Sequence, residues 1–276
     1  MTTSENTVLA LATKRRKRRA DWQSFGKLLV LRVAFLVSVL VVWELVVVSG
    51  LVEEFWVSKP SSVIRRIAGL LPTSQLYADA AFTLQSVVVG FAISLVAGIM
   101  SACLLYKYRL LQKVVDPYIL ALYSMPRMAL APLFIIWFGV GAASKIALVV
   151  SLSYFIILLN TYAGLINVNP HLISQVRLMG ANDWFIFRKV SLPASIPWLL
   201  SGARVALGFA LIGAIVGELI VAEQGLGLRI ARASGLFDTT GVFAYLFIVA
   251  ALGMLLDQGV RFAERRLAAW APSGVK

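Results

Sequence analysis

Residues 174–197 read SQVRLMGANDWFIFRKVSLPASIP, an amphipathic segment that lies between two long apolar runs of the chain. Gly180 is suited to ending one short helix, because glycine readily adopts the left-handed conformation that follows many helix C-termini. Asn182 or Asp183 can then cap the next helix by accepting a backbone hydrogen bond. The segment is therefore predicted to form two short helices outside the membrane.

The second of these helices is predicted to carry one apolar face. That face consists of Trp184, Phe187 and Val190, with Arg188 and Lys189 beside it. Pro193 and Pro197 are expected to stop the helix. Two interpretations stay open at this point: the face packs against the chain's own membrane helices, or a partner outside the membrane binds it.

The rest of the chain is far more apolar than a soluble domain. Of its 276 residues, 60% are hydrophobic and 14% are charged, and the mean hydropathy is +0.85, which indicates an integral membrane protein. The net charge of +13 does not indicate nucleic-acid binding, because the basic residues lie between apolar runs, where they contact anionic lipid and set topology. Cys103 is the single cysteine, which excludes an internal disulfide and a thiolate metal site.

Six apolar runs are about as long as a bilayer crossing. They cover residues 28–48, 83–106, 118–138, 146–166, 198–221 and 242–260. The polar stretch before the first run is not a cleavable signal peptide, because no small-residue cleavage site follows that run. Glu44, toward the outer end of the first run, is expected to snorkel to the interface or to face a neighbouring helix. A short amphipathic helix after Pro60 is expected to lie on the outer interface.

The basic residues predict which loops are cytoplasmic. With the amino terminus inside, 17 of the 26 Lys and Arg residues fall on the cytoplasmic side and 6 on the outer side, Lys145 among the latter. This bias places both termini and the 174–197 segment in the cytoplasm. The predicted organisation is a basic tail at 1–27, one six-span domain at 28–262 with its main cytoplasmic loop at 167–195, and a tail at 263–276. The glycine-rich residues 224–228 are interpreted as an outer turn, since they lack the setting of a phosphate loop.

Small residues recur at helical spacing in two runs and predict close helix packing. They are Gly90, Ser94 and Gly98 in the second run, and Ala206, Ala210, Ala214, Gly213 and Gly217 in the fifth. The third run is expected to be broken by Pro126 and Pro132. Such breaks are tolerated where they line a cavity.

Arg127 is the only basic residue near the middle of a run. A lone guanidinium at that depth costs about 3 kcal/mol on insertion scales, so it is expected to face a wet cavity or a partner. The candidate partners are Glu218, Asp257 and a backbone carbonyl freed by Pro132. Arg127 is then either a brace for a broken helix or a residue of a solute pathway that attracts an anionic or electron-rich substrate.

No set of residues predicts enzymatic chemistry. The Walker pattern that binds triphosphate is absent, and no paired carboxylates, metal ligands or activated nucleophile are found. His171, the single histidine, is interpreted as a polar residue at a helix start. If the chain drives an energy-requiring process, the energy must therefore come from a partner or an ion gradient, and an ion-driven secondary carrier is the alternative to a partner-driven protein.

The segment at 174–197 resembles the signature loop of bacterial ABC importer permeases. Six residues fall on that pattern at its spacing: Gly180, Phe187, Val190, Leu192, Pro193 and Pro197. The chain departs from it at 174–176, where Ser-Gln-Val stands in place of Glu-Ala-Ala. Pro126 and residues 130–133, 137–139 and 160–164 look like the taurine, sulfonate, nitrate and thiamine-precursor branch, so the resemblance covers most of residues 117–228.

The resemblance implies an all-α membrane protein with six transmembrane helices of the type I ABC importer permease kind. In the family, the loop is a cytoplasmic coupling helix that docks into an ATPase subunit. The implied complex in the bacterial inner membrane contains a second copy of the chain, two ATPase subunits and an extracytoplasmic solute-binding protein. ATP and Mg would be bound by the ATPase, and no cofactor by this chain. The implied cargo is a small anion such as a sulfonate or nitrate, or a heteroaromatic vitamin precursor.

The resemblance also implies two groups of functional residues. The first is expected to couple the chain to the ATPase and consists of Ser174, Gly180, Ala181, Asp183, Trp184, Phe187, Val190, Leu192, Pro193 and Pro197. The second is expected to line the translocation pathway and consists of Pro126, Arg127, Asn160 and Glu218. No catalytic residue and no metal ligand is predicted.

Overall fold

A computed structural model of the chain describes residues 27–28, 30–221 and 223–268, apart from the side chains at 263, 265, 267 and 268. The regular secondary structure of the described part consists of helices, which are joined by short turns. It contains five helices long and apolar enough to cross a membrane, or six when one bent pair counts as a single span. The predicted all-α, six-span architecture is thereby confirmed. The chain divides at Arg65 into two compact units.

The first unit holds the first span. Helix α1 (Val30–Val48) is followed by the short α2 (Glu54–Val57) and by the start of α3 (Pro60–Leu70), which continues into the second unit. The Glu44 carboxylate accepts hydrogen bonds from the Ser61 backbone N–H, over 3.0 Å, and from its hydroxyl, over 2.7 Å. Of its two expected roles, Glu44 therefore faces a neighbouring helix, where it satisfies a first-turn N–H that has no partner within α3.

The second unit contains the remaining spans. Its helices are α4 (Ser74–Lys107), α5 (Arg109–Ser124), α6 (Ala131–Phe138), α7 (Ala142–Ile166), α8 (Pro170–Leu178), α9 (Asp183–Ile186), α10 (Leu192–Ile220), α11 (Leu226–Gly235) and α12 (Thr239–Ala268). A 3₁₀ turn (Arg127–Leu130) precedes α6, and a π-helical turn (Phe187–Ser191) joins α9 to α10. Helix α11 was not predicted from the sequence, which indicated only a turn there.

Helices α4, α7 and α10 pack directly against one another at the small residues. A Cβ added at Gly90 would lie 2.5 Å from Val149 Cγ1, and one at Gly98 would lie 2.8 Å from Ile157 Cγ2. Ala210 and Ala214 of α10 are fully buried in the same cluster as Val149. The close packing predicted from the spacing of small residues is confirmed, and it fixes α7 between α4 and α10.

The third span is bent, as expected, but at one proline only. Helix α5 and the 3₁₀ turn with α6 meet at 81°, and Pro126 lies at the break. Pro132 lies in the first turn of α6, where its missing N–H removes no helical bond, so the expected second break at Pro132 is wrong.

The prediction that Pro193 and Pro197 stop the helix before them is also wrong. Both lie in α10, which continues without interruption to Ile220. Pro193 occupies the first turn, where no intrahelical donor is needed. Pro197 lies inside α10, where the helix packs closely on α7: a Cβ added at Gly164 would lie 3.0 Å from Cα of Ser195.

Candidate functional site

The segment between α7 and α10, residues 167–191, forms the two predicted short helices and is called the connecting segment here. Its first helix, α8, is capped by Asn169, whose side chain accepts a 2.9 Å hydrogen bond from the His171 backbone N–H, so His171 is at a helix start as predicted. Gly180 separates the helices with φ +87°. Asn182, rather than Asp183, caps α9 by accepting from the Phe185 N–H over 2.8 Å.

An ion pair closes the turn at Gly180. Arg177 Nη2 lies 2.7 Å from Asp183 Oδ1, and both side chains are exposed. The turn itself has open space around it, since a Cβ at Gly180 would meet no atom within 4 Å. The constraint at Gly180 is therefore its positive φ and not crowding.

The apolar side chains of the connecting segment divide into a packed set and an exposed set. Phe187 lies between two rings, 5.7 Å from that of Trp184 and 5.6 Å from that of Tyr106 on α4. The Tyr106 hydroxyl also lies 2.9 Å from Ser191 Oγ. These contacts tie the segment to the end of α4, so one of the two interpretations, packing against the chain's own helices, holds for Phe187.

The exposed set lies around the turn. Leu178 and Met179 are 88% and 85% exposed, and Trp184 is 63% exposed. Of the other predicted coupling residues, Ser174 is exposed in α8, Ala181 and Val190 are half-buried, and Leu192, Pro193 and Pro197 belong to α10. The segment therefore presents an apolar tip that its own bundle does not cover.

Arg127 acts as a link between the bent span and α7. Its Nη1 donates to the backbone carbonyls of Ser151, over 2.9 Å, and Leu152, over 3.3 Å. The guanidinium also lies 5.0 Å from the ring centre of Tyr123 and 5.5 Å from that of Phe155. A carbonyl partner was expected, but from the residue freed by Pro132, and the carbonyls found belong to α7.

The predicted pathway residues do not converge on one site. Asn160 donates from Nδ2 to the Ile156 carbonyl over 2.8 Å, and its side chain packs on Gly202 of α10. Glu218 lies 16 residues beyond Gly202 on the same helix, a rise of about 24 Å. Glu218 therefore lies far from Asn160 along the bundle, and its hydrogen bonds are to Thr83 and Gly227 rather than to Arg127.

Glu218 belongs to a buried cluster that the sequence did not predict. Three consecutive backbone N–H groups, at residues 225–227, donate to Asp79 Oδ1, Thr83 Oγ1 and Glu218 Oε2 over 3.0, 3.0 and 2.8 Å. Asp79 and Thr83 lie on α4 and Glu218 lies on α10. We name this set, the three side chains with the backbone of residues 225–227, the polar clasp, since it ties the start of α11 to two spans.

The clasp depends on glycine at two positions. Gly225 has φ +121°, and a Cβ there would overlap the Glu218 carboxyl carbon. At Gly227 a Cβ would lie 2.6 Å from Glu218 Cβ and 2.7 Å from the Ile215 carbonyl oxygen. The glycines of this loop thus allow backbone donors to approach buried carboxylates closely.

Two basic side chains lie near the two carboxylates of the clasp, and one of them forms an ion pair. Arg229 Nε lies 2.5 Å from Asp79 Oδ2. Lys145 packs its stem on Gly217, lies 4.5 Å above the Phe82 ring and interacts electrostatically with Glu218. Asp79, Lys145 and Glu218 are each 1% exposed, so Lys145, which the charge count assigned to the outer side of the membrane, is buried within the bundle. A buried ion that lacked its partner would be strongly destabilising.

The sequence held only a weak signal for this cluster. Asp79 and Lys145 lie one turn or less outside the predicted apolar runs, where a charged residue ordinarily contacts water. The residues that meet in the clasp are also far apart in sequence. Thr83 and Glu218 are separated by 135 residues, and Asp79 and Arg229 by 150. Within the described residues, Glu218 Oε1 has no hydrogen-bond partner.

The family model and the relatives that match this chain indicate the same protein family. The family model described as "Binding-protein-dependent transport system inner membrane component" matches residues 94–269. The formylaminopyrimidine transport permease protein ThiX of Halalkalibacterium halodurans is 33% identical over 86% of this chain and 94% of its own. The putative aliphatic sulfonates transport permease protein SsuC of Bacillus subtilis is 30% identical over 85% of each chain.

A third relative and two solved structures agree. The riboflavin transport system permease protein RibX of Chloroflexus aurantiacus is 31% identical over 93% of this chain and 94% of its own. An inward-facing structure of the MetNI methionine ABC transporter aligns with TM-score 0.61 and 23% identity over 72% of this chain and 97% of that chain. An amino acid ABC transporter aligns with TM-score 0.56 and 18% identity over 74% of this chain and 96% of that chain. At these identities the two structures show a common fold.

Proposed function

Because the chain belongs to the binding-protein-dependent transport system inner membrane components, as an inner-membrane permease of an ABC importer, we propose that it moves a small solute inward by alternating access. In this proposal, two copies of the chain enclose the pathway. Two cytoplasmic ATPase subunits bind ATP and Mg, and a solute-binding protein delivers the cargo from outside. Closure of the ATPase pair on ATP moves the two connecting segments together, and the spans change the side to which the cavity opens.

The apolar tip of the connecting segment is the observation that carries this proposal. Leu178, Met179 and Trp184 are exposed around a turn fixed by Gly180. An apolar patch with no partner in its own chain is typical of a protein interface. The packed Phe187 joins this tip to α4 and, through the π-helical turn, to α10. A push on the tip would therefore reach two spans.

Cross-linking to the ATPase tests the proposal. In a Cys103→Ala chain co-expressed with its ATPase and binding protein, Met179→Cys is paired with cysteines scanned along the ATPase surface. Leu236→Cys is the matched control, because Leu236 is also apolar and 78% exposed but follows α11. We expect cross-links from position 179 only. Cross-links from neither position in an active complex would contradict the proposed role of the segment.

The names of the relatives suggest the class of cargo. They refer to a formylaminopyrimidine, aliphatic sulfonates and riboflavin, so we propose a small heteroaromatic or sulfonated solute. Titration of the binding protein encoded beside this chain with both classes, followed by ATP-dependent uptake into proteoliposomes, tests this choice. Uptake without ATP but with a proton or sodium gradient would support the ion-driven alternative instead.

A further inference from the structure

A groove of about 950 Å³ lies between the end of α4 and the connecting segment. One wall comes from α4. Lys107 lies at the end of this helix, and Met100, Cys103 and Leu104 lie one to two turns before it. The facing wall comes from the connecting segment, with Trp184 and Phe187. The groove is thus apolar toward the bundle and charged toward its rim.

The rim carries more positive than negative charge. Lys107, Arg109 and Arg177 line the groove, with Asp183 as the acidic residue among its lining. Asp183 is paired with Arg177. Within the residues that the structure describes, Lys107 and Arg109 form no ion pair with a carboxylate. Two cations are therefore available to an anion at the rim.

The walls match the layers of a membrane. Met100 and Leu104 are 67% and 48% exposed on a span whose hydropathy fits a bilayer crossing. Tyr106 is half-buried below the rim, and tyrosine prefers the interface between acyl chains and headgroups. The apolar wall from Met100 to Lys107 is about 10 Å long. This length matches the part of an acyl chain that lies next to the headgroup.

We propose that this groove binds one anionic phospholipid, with its phosphate at Lys107 and Arg109 and its acyl chains along Met100 and Leu104. Basic pockets between membrane helices on the cytoplasmic side are suited to such headgroups. A free phosphate would use the rim but would leave the apolar wall bare. The bound lipid would lie directly behind Phe187 and so support the connecting segment from the membrane side.

Cys103 provides the test, because it lines the groove and is the single cysteine of the chain. The full chain is labelled there with a fluorophore and titrated with phosphatidylglycerol that carries a nitroxide quencher on its acyl chain. Phosphatidylcholine with the same quencher is the comparison lipid. We expect saturable quenching with an affinity for phosphatidylglycerol at least about tenfold higher than for phosphatidylcholine. The measurement needs no transport, so its outcome is independent of the proposed function.

Charge variants locate the headgroup. Lys107→Gln with Arg109→Gln is expected to weaken phosphatidylglycerol binding about twenty-five-fold, since each cation near an anionic lipid contributes roughly fivefold. Lys113→Gln with Arg266→Gln is the matched control: both residues are exposed cations outside the groove. This control is expected to change the affinity less than about twofold.

Three results would overturn the proposal. Equal quenching of a Cys103→Ala, Leu255→Cys chain would mean general lipid contact, because Leu255 is an exposed apolar residue of α12 outside the groove. Displacement of the quencher by inorganic phosphate as well as by unlabelled phosphatidylglycerol would mean an anion site rather than a lipid site. Protection of Cys103 by the ATPase subunit, with no selective lipid effect, would mean that a protein covers the groove.

Discussion

Gly180 is the residue on which the shape of the connecting segment depends most. Its φ of +87° is unfavourable for side chains with a β-carbon, by about 1–2 kcal/mol, and most for β-branched ones. Gly180→Val is therefore expected to abolish transport while the protein still reaches the membrane. Gly180→Asn is the matched control, because asparagine tolerates this conformation, and it is expected to retain transport.

Uptake into proteoliposomes and membrane abundance, measured for both Gly180 variants, check this prediction. Normal uptake by Gly180→Val, with a normal ATPase response to loaded binding protein, would show that the turn has another role.

Arg127 is expected to act as a brace, since its contacts join the 3₁₀ turn to α7. Arg127→Gln loses the charge-assisted hydrogen bonds to the Ser151 and Leu152 carbonyls and two ring contacts. Each such bond contributes about 1.5–3 kcal/mol, so a clear drop in thermal stability is expected in detergent. Arg232→Gln, an exposed cation of α11, is the control and is expected to leave stability unchanged.

The pathway role of Arg127 predicts a different result for the same variant. A stable complex with lower uptake and an altered preference between anionic and neutral solutes would place Arg127 in the pathway. A stable Arg127→Gln transporter with full activity and unchanged selectivity would exclude both roles.

The polar clasp holds the start of helix α11, and substitutions of the clasp glycines are predicted to loosen this helix. Gly225→Ala and Gly227→Ala each force a methyl group against Glu218, an overpacking that costs about 1–3 kcal/mol. Faster amide hydrogen exchange over residues 225–235 is expected for both. Gly235→Ala, at the other end of α11 with open space around it, is the control. Unchanged exchange in Gly227→Ala would mean that the clasp does not anchor the helix.

The packing of α4 on α7 leads to a second prediction for elements. Gly90→Ala and Gly98→Ala place a Cβ 2.5 Å from Val149 and 2.8 Å from Ile157, and in both cases the nearest atoms belong to stiff β-branched side chains. A loss of about 1–3 kcal/mol is expected for each. Gly208→Ala, in α10 with no neighbour within 4 Å, is expected to be neutral or slightly stabilising. Melting curves of the purified variants measure the difference.

The elements also show what a sequence can and cannot predict. The spacing of Gly90, Ser94 and Gly98 predicted a helix contact because small residues matter only where another backbone approaches. Pro193 was misread because a proline in the first turn of a helix looks the same in sequence as one that ends the preceding helix. The clasp was missed because its backbone donors are not encoded in any side chain, and Asp79 lies 150 residues from Arg229.

At the scale of the whole molecule, the prediction concerns the side of the membrane on which the apolar tip of the connecting segment and the exposed Leu236 lie. In a Cys103→Ala chain, a membrane-impermeant maleimide is expected to label Leu236→Cys in intact cells and Met179→Cys only in inside-out vesicles. The reason is the positive-inside charge bias together with the odd number of spans between the two positions. Labelling of Met179→Cys in intact cells would reverse the topology and remove the basis for ATPase contact.

The polar clasp has a consequence for the synthesis and membrane insertion of the protein. Asp79 and Lys145 are translated early, whereas Glu218 and Arg229 are translated later, up to 150 residues after Asp79. At about 5–20 residues per second, translation from Asp79 to Arg229 takes roughly 8–30 s, and these two charges cannot meet before then. Until then the early helices carry unmatched ions at the ends of their spans, where water or the insertion machinery must solvate them. A nascent chain stalled on the ribosome before residue 218 would therefore expose the unmatched Asp79 and Lys145, and we expect quality-control proteases to degrade it.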